Sequence, residues 1–366
     1  MDFESKEVSA GSSTAFLAGG GEAARLIRNF DWASTPVGPM SSWPAALKVT
    51  LGIMLHSRHP MFLWWGPELT QFYNDAYTPS FGVGKHPAAM GQRGIDCWHE
   101  IWPIIWPQIS DVMSRGKASW NEDHLVPIFR NARIEDVYWT YGYSPVVGDD
   151  GTVAGTLVIC SETTGRVVAD RRQQVARSLT EALAASTPQQ ESTTKSMRAC
   201  LDASIDVPAA LFYHTAPGRS TPILVGGLGL DDEALPRADK TFRRATAWSL
   251  GLPKALAAGR PALLKDVLTL PGSRGPEPVT DVFVAPTRKA DGESGTEFVV
   301  YGLNPRIPFD AGYREFLLQL TRSLALAGAL ATAPSPQAGV DADAQTNDGE
   351  AAPRRPRTSG QYRSEC

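Results

Sequence analysis

The chain between residues 60 and 164 has the hydrophobic pattern of a mixed sheet with short helices. An apolar run at residues 61–65 ends at Gly66-Pro67, and a second run at residues 69–73 follows after only three residues. Two such runs, separated by turn residues, are typical of a β-hairpin. The sequence therefore predicts that the sheet begins with a hairpin.

Farther along the same region, residues 134–147 alternate between two faces with the period of a strand. After turn residues at 148–151, a β-rich run at 152–160 is predicted to pair with this strand. One face of residues 134–147 carries the larger apolar side chains, namely Val137, Trp139, Tyr141 and Tyr143.

Between these two hairpins the period becomes helical. Trp98, Trp102 and Trp106 recur at every fourth position. Pro103 and Pro107 do not fit inside one long helix, because proline lacks the backbone N–H and its ring clashes with the preceding turn. We therefore expect short consecutive helices, with Pro107 in the first turn of one of them.

Residues 166–186 have helical period and are predicted to form a connecting helix, with an apolar stripe of Val168, Val175, Leu179 and Leu183 and with Arg171 and Arg172 off that stripe. A polar stretch at residues 186–196 follows, and then a second unit. The elements predicted there are a helix at 197–205, strands at 209–213, 222–225, 282–285 and 298–301, and a final helix capped by Asp310.

The length of 366 residues predicts two or three domains, and 42% hydrophobic with 20% charged residues is a globular composition. The net charge of -4 argues against a nucleic-acid partner, and no apolar run is long enough to cross a bilayer. The four cysteines lie far apart without a CxxC pair, and no signal peptide is recognised. These features predict a soluble cytoplasmic protein without a membrane partner.

Composition also divides the chain along its length. Nine of the ten tryptophans lie between Trp32 and Trp139, which indicates two cores of different character. Residues 1–20 are small and polar and are expected to form a disordered leader. Residues 333–366 have too few large apolar side chains to offset the entropy of ordering, so a disordered tail is expected there.

Six short segments of the first unit, at residues 21–22, 30–32, 35–39, 42–44, 60–62 and 64–69, carry a resemblance to a known family. Through them the unit resembles the PAS sensor domain found at the head of multi-domain sensor histidine kinases. Residues 72–77, with Asn74 before a small residue, are similar to the PAS segment that follows the second strand. Residues 161–164 stand where many PAS domains end their last strand with Asp-Ile-Thr, and this ending differs.

The second unit resembles a divergent GAF domain through residues 255–267 and 308–310. The two resemblances imply an α+β fold with two sensory domains, each an antiparallel sheet flanked by helices, joined by a helix. The boundaries expected on this basis are a PAS domain with an N-terminal helical extension at 21–165, a connecting helix and linker at 166–189, and a GAF-like domain at 190–332.

Candidate chemistry is sparse. His99-Glu100 is similar to the acceptor box of a histidine kinase, but no ATP-binding glycine pattern follows, so a structural role is favoured. Cys97 lies where photosensory PAS relatives carry a flavin-reactive cysteine, yet its neighbours differ, which favours a buried thiol. His99 and His124 lack the motif of a haem ligand. The sequence names no cofactor, no metal site and no catalytic residue.

Aromatic side chains form the one candidate ligand pocket, because pockets combine aromatic walls with a few polar groups. The same side chains also suit an ordinary filled core, and the sequence favours that alternative. The candidate pocket residues are Trp64, Phe72, Tyr73, Asn74, Trp98, Trp102, Trp139 and Tyr141.

These observations predict a sensory module of signal transduction without its own catalytic domain, in which binding shifts a packing equilibrium that the connecting helix passes on. One alternative is a partial sensor histidine kinase of a two-component phosphorelay, with its transmitter domain beyond this chain. Another is a dimerising scaffold with no small ligand. We expect a homodimer formed through the PAS domain and the connecting helix, with a kinase or a response regulator as a further partner.

Overall fold

Two five-stranded antiparallel sheets organise the chain, as the computed structural model shows for residues 14–185, 204–216, 219, 221–246, 252–270, 276–288 and 296–326. The elements of the first unit are α1 (Gly21–Asn29), α2 (Ala45–His56), β1 (Met61–Trp65), β2 (Thr70–Tyr73), α3 (Gly94–Cys97), α4 (Trp102–Arg115), β3 (Ser119–Arg130), β4 (Arg133–Val147) and β5 (Val153–Glu162).

Helix α5 (Thr164–Ala185) follows β5 directly and leads to the second unit. The elements of that unit are β6 (Ala209–Thr215), β7 (Ile223–Leu228), α6 (Ala234–Thr246), α7 (Leu252–Ala257), β8 (Ala262–Leu264), β9 (Val282–Arg288), β10 (Thr296–Gly302) and α8 (Ala311–Leu326). No helix among the residues described here is long and apolar enough to cross a membrane.

Both sheets have the same strand order. It is β2-β1-β5-β4-β3 in the first unit and β7-β6-β10-β9-β8 in the second, and every neighbouring pair is antiparallel. In each sheet the first and last strands in sequence lie side by side at the centre. The predicted α+β class, with two helix-flanked antiparallel sheets, is confirmed.

The predicted strands and their faces are also found. Strands β1 and β2 form the first hairpin, with Phe62 opposite Tyr73. On β4 the predicted apolar face is buried at Val137, Trp139 and Tyr141. In the second unit the final helix begins at Asp310, whose Oδ1 accepts the N–H of Tyr313 at 2.7 Å, as a capping residue does.

Helix α4 contradicts the prediction of short consecutive helices. It runs without interruption from Trp102 to Arg115, with Pro103 in its first turn and Pro107 inside it. Pro103 costs no hydrogen bond because first-turn N–H groups have no partner within a helix. The one bond lost at Pro107 is offset by the burial of Ile105 and Ile109 against the sheet.

Helix α5 follows its predicted apolar stripe, since Val168 and Leu179 are buried and Leu179 lies in the core of the second unit. Arg172, predicted off the stripe, is only 8% exposed. It is buried because its guanidinium lies 3.1 Å from the carboxylate of Asp206 and over the ring of Tyr313. The helix is therefore part of the second unit as well as its connection to the first.

Residues 1–20 were expected to be a disordered leader, but the part that the structure describes, residues 14–20, packs against the first unit. A 3-10 helix forms at Ala15–Leu17, and Leu17 is buried in the first core. Nε2 of His56 at the end of α2 lies 2.8 Å from the carbonyl oxygen of Ala18. The polar stretch at 186–196, residues 197–203 of the helix predicted at 197–205, and the tail at 333–366 lie outside the described residues.

Candidate ligand-binding site

A cavity of about 50 Å³ lies inside the first unit, between the inner face of the sheet and the helices that cover it. Its wall is mostly aromatic, and it is formed by Phe62, Trp64, Tyr77, Trp98, Ile101, Ile105, Val126, Ile128, Trp139, Tyr141, Tyr143, Val158 and Cys160. No charged side chain of the described residues lines it.

The strands place these side chains through their alternation. Trp139, Tyr141 and Tyr143 are every second residue of β4, so all three point to the same side of the sheet. Trp64 on β1 joins them, and its ring meets that of Tyr143 edge to face at 5.8 Å. Trp98 approaches from the end of α3 and closes the opposite side.

Five of the six buried tryptophans of this unit fall into two groups, according to whether the indole N–H has an acceptor. On the outer side of the sheet, the indole N–H of Trp32 donates to the carbonyl of Ile27 at 2.6 Å, and that of Trp43 donates to the carbonyl of Gly38 at 2.9 Å. Three others have a buried indole N–H with no acceptor among the described residues, and all three line the cavity: Trp64, Trp98 and Trp139. Buried indole groups ordinarily find a partner, so these three are exceptions among the described residues.

Two tyrosine hydroxyls add donors to the same wall. Burial is the largest cause that raises the pKa of both Tyr77 and Tyr143 well above the ordinary value, so both hydroxyls stay protonated. Burial also raises the pKa of the Cys160 thiol to about 12, and this thiol lies 3.7 Å from the carbonyl oxygen of Pro60. The tyrosine and cysteine side chains of the wall are therefore neutral.

A polar cluster lies at one end of the cavity, around the hydroxyl of Tyr141. Gln108 of α4 donates its Nε2 to this hydroxyl at 3.0 Å, and Nδ1 of His124 lies 2.9 Å from it. Asn121 donates to Oε1 of Gln108 at 2.7 Å. These bonds tie β3, β4 and α4 together.

Four of the eight candidate pocket residues predicted from the sequence line the cavity, namely Trp64, Trp98, Trp139 and Tyr141. Phe72 lies on the outer face, where its ring stacks on Trp32 at 4.7 Å. Tyr73 lies beside the cavity wall, and its hydroxyl is 2.9 Å from Nδ1 of His86. Trp102 stacks on Trp106 at 5.7 Å.

Asn74, the remaining candidate, is a structural hub. Its Nδ2 donates to the carbonyls of Met54, Ser57 and His59. Its Oδ1 accepts the backbone N–H groups of Met61 and Tyr77 at 3.0 and 3.1 Å. The side chain thus joins the end of α2, the start of β1 and the 3-10 helix Asp75–Phe81.

Several wall residues were not among the sequence candidates. Tyr143 was predicted on the same face as Trp139 and Tyr141, so its place in the wall was available from the pattern. Val126 and Ile128 lie on β3, which the sequence did not predict as a strand. Tyr77 comes from a 3-10 helix, which carries no strong sequence signal.

The strand that lines the cavity also contacts the second unit. The backbone N–H of Asp136 on β4 donates to the carbonyl of Arg306 at 3.0 Å. Arg171 of α5 donates Nη1 to the hydroxyl of Tyr138 at 3.2 Å and Nε to the carboxylate of Asp206 at 2.8 Å. Cavity wall and domain contact therefore share one strand.

The residues considered for other chemistry occupy ordinary positions. The side chain of His99 is 76% exposed, and its Nδ1 lies 3.7 Å from Glu100, so it is a surface residue. Cys97 is buried, and burial raises the pKa of its thiol. Among the described residues no group of three or more His, Cys, Asp or Glu side chains is placed to hold a metal ion.

No family model and no curated protein matches the chain. Solved structures similar in fold include the GAF domain of a phosphoenolpyruvate-protein phosphotransferase from Coxiella burnetii, with 17% identity, 44% of this chain and 94% of that chain covered, and a TM-score of 0.32. A sensory box sensor histidine kinase from Vibrio cholerae has 16% identity, covers 32% of this chain and 93% of that chain, and has a TM-score of 0.23. A PAS domain from Colwellia psychrerythraea has 17% identity, with 33% and 98% covered and a TM-score of 0.26. Each of these three solved structures is similar to one part of the chain, at less than half of its length.

Proposed function

We propose that this chain is a sensory module of signal transduction, in which a small molecule binds inside the first unit and the second unit responds. The observation that carries this proposal is the double role of β4. Trp139 and Tyr141 on one face of the strand line the cavity, while Asp136 and Tyr138 contact Arg306 and α5. A ligand that shifts the strand therefore acts on both units at once.

The contact between the units is built to respond to such a shift. Arg171 joins Tyr138 of the first unit to Asp206 of the second, and Asp206 is fully buried between Arg171 and Arg172. Buried charges tolerate little change in geometry, because a lost partner leaves a charge uncompensated. A ligand that favours one position of β4 thus also favours one arrangement of this contact.

We further propose that the first unit acts as a PAS domain and the second as a GAF-like domain of a cytoplasmic two-component phosphorelay, with a kinase or response regulator as partner. Support comes from the PAS-like and GAF-like segments of the sequence and from the strand order that the two sheets share. Co-purification with candidate kinases and response regulators, followed by an assay of phosphotransfer, tests this assignment.

The binding step is tested by a thermal-shift screen of the full chain against small planar and apolar metabolites. A compound that binds only the folded state raises its melting temperature by mass action. The double variant Val126→Ile and Val158→Ile adds methylene groups to the cavity and is expected to reduce that rise. Val153→Ile, at a position that does not line the cavity, is the matched control. A library without any stabilising compound would contradict the binding step.

We also propose that the chain forms a homodimer in which the first unit supplies part of the contact. Trp120 and Ile159 lie in one row across the outer face of the sheet, in register with Gly142 between them. They are 69% and 48% exposed, which is unusual for large apolar side chains. Sedimentation of the wild type and of Trp120→Lys tests this. A wild-type chain that sediments as a monomer would contradict both the homodimer and the alternative of a dimerising scaffold.

A further inference from the structure

The side chains that line the cavity of the first unit present mostly carbon atoms to it. The indole nitrogens of Trp64, Trp98 and Trp139 are closed even to a water-sized molecule, so these rings contribute carbon atoms to the wall. The hydroxyl of Tyr141 is already bonded within the polar cluster described above, and the thiol of Cys160 lies 3.7 Å from a backbone carbonyl oxygen. The remaining wall is largely hydrocarbon, namely Phe62, Ile101, Ile105, Val126, Ile128 and Val158.

Water is poorly accommodated in such a space. The cavity measures about 50 Å³, and one water molecule needs about 10–15 Å³ on the same scale, so about three or more molecules would be needed to fill it. Each buried water ordinarily makes about three hydrogen bonds. Among the described side chains of the wall, the hydroxyls of Tyr77 and Tyr143 are the groups left to bind water, and two hydroxyls do not satisfy that many molecules. An apolar occupant therefore competes well against water.

Charge and volume narrow the occupant further. No charged side chain of the described residues lines the cavity, so an ion would be buried there without a counter-charge, which is strongly unfavourable. An engineered apolar cavity of about 150 Å³ holds benzene, with its six carbon atoms. The cavity here has about a third of that volume and thus has room for about two or three non-hydrogen atoms.

We infer that the cavity takes an uncharged, apolar molecule of about two or three non-hydrogen atoms, the size of a dissolved gas. This inference rests on the function proposed above and adds the chemical class of the ligand. Such a molecule gives up no hydrogen bond when it leaves water, and it gains contacts with the aromatic and branched side chains around it. A compound with a six-membered ring exceeds the volume.

Three probes separate polarity from size. Ethane is apolar and small, methanol has the same number of non-hydrogen atoms but carries a hydroxyl, and benzene is apolar but larger. Each is titrated into the full chain with ¹³C-labelled Ile and Val methyl groups, and nuclear Overhauser effects (NOEs) between the probe and these methyl groups are recorded. Ile105, Val126 and Val158 report on the wall, while Val153 and Ile159, which do not line the cavity, are internal controls.

Ethane is expected to saturate and to give NOEs to Ile105, Val126 and Val158, with none to Val153 or Ile159. Its affinity should exceed that of methanol by at least about tenfold, because the methanol hydroxyl would leave water without a full set of partners. Benzene should give no NOE to the wall. The double variant Val126→Ile and Val158→Ile should weaken the binding of ethane, whereas Val153→Ile should leave it unchanged.

Other outcomes overturn the inference in distinguishable ways. Methanol that binds as tightly as ethane overturns the apolar class, and benzene that saturates with NOEs to the wall overturns the size. Ethane without NOEs to the wall also overturns the ligand class. In that case the binding step of the proposed function survives if a larger compound from the thermal-shift screen stabilises the wild type and loses this effect in the double variant. If neither ethane nor any screened compound binds, the ligand class and the binding step are both wrong.

Discussion

Arg306 of the second unit holds Asp136 of the first through two separate groups. Its carbonyl oxygen accepts the backbone N–H of Asp136 at 3.0 Å, and its Nη1 lies 3.6 Å from Oδ1 of the Asp136 carboxylate. The same guanidinium donates two hydrogen bonds to Glu277, at 2.8 and 3.1 Å. Val137 and Trp139, one and three residues after Asp136, lie on the inward-facing side of β4. The Arg306–Asp136 pair therefore ties the second unit to the strand that lines the cavity.

Replacement of Arg306 is expected to loosen this contact. Arg306→Met removes the cation that lies 3.6 Å from the buried carboxylate of Asp136, and breaking a buried pair costs about 3–5 kcal/mol. We expect a loss near 3 kcal/mol in the free energy of unfolding, because Asp136 has further interactions. Equilibrium urea unfolding measures it. Arg322→Met is the matched control, since both members of the Arg322–Glu315 pair are more than 60% exposed, and its effect should stay below about 1 kcal/mol.

The two groups of buried tryptophans predict different costs for the same substitution. Trp32→Phe removes a hydrogen bond to the carbonyl of Ile27 as well as volume, whereas Trp139→Phe removes volume and an N–H that has no acceptor. We therefore expect Trp32→Phe to be more destabilising by about 1–3 kcal/mol, the cost of leaving a buried partner unpaired. Chemical unfolding of both variants tests this. Equal losses would mean that the Trp139 N–H has a partner, such as bound water.

The buried carboxylate of Glu135 predicts a specific dependence on pH. Burial alone would raise its pKa, but hydrogen bonds from Arg130, Arg133 and Asn131 outweigh burial and lower the pKa below its usual range. A lowered folded-state pKa stabilises the protein above the unfolded value of about 4.3, and this contribution is lost as the pH falls through the folded value. The stability gap between wild type and Glu135→Gln should thus be large at pH 7 and shrink below about pH 4.

Unfolding at pH 7, 5, 4 and 3 measures that gap. Glu68→Gln is the control, because the Glu68 side chain is 43% exposed and its pair with Arg93 lies at the surface. Its effect should be small at every pH. A gap for Glu135→Gln that stays constant or widens in acid would contradict the ionised, paired state of this carboxylate.

Truncation of the Asn74 side chain is expected to destabilise the first unit strongly. Asn74→Ala removes five hydrogen bonds at once and leaves the buried backbone N–H of Met61 without its acceptor. We expect the free energy of unfolding of the first unit to fall by at least about 3 kcal/mol, because breaking a buried network is among the most destabilising changes. Asn29→Ala, at an exposed position, is the matched control and should change it little. A loss below about 1 kcal/mol for Asn74→Ala would contradict the hub.

Much of the fold was predictable because its core strands obey a simple period. Residues 134–147 alternate so regularly that the buried face of β4 follows from the sequence. Strand β3 was missed for a physical reason, since its pairing with β4 shifts between Asn121 and His124 and Asp123 there has a positive φ of 47°. Such a bulge interrupts the alternation on which strand prediction depends.

The cavity was predictable in part only. Trp64, Trp98, Trp139 and Tyr141 were recognised as candidates by their aromatic character, but Phe72 has the same character and lies on the opposite face of the sheet. That difference depends on strand register, which no local pattern specifies between distant segments. Whether an indole N–H has a partner depends on a carbonyl elsewhere in the fold, so the unsatisfied indoles of Trp64, Trp98 and Trp139 were not visible in the sequence.

The most direct test of the account follows hydrogen exchange in the full chain, with and without the most strongly stabilising compound from the thermal-shift screen. If ligand binding is passed through β4, amide protection should rise both at residues 134–143, around the cavity, and at residues 304–307 of the second unit. The double variant Val126→Ile and Val158→Ile should show neither rise. Increased protection confined to the first unit would contradict transmission to the second unit, even where the compound binds in the cavity.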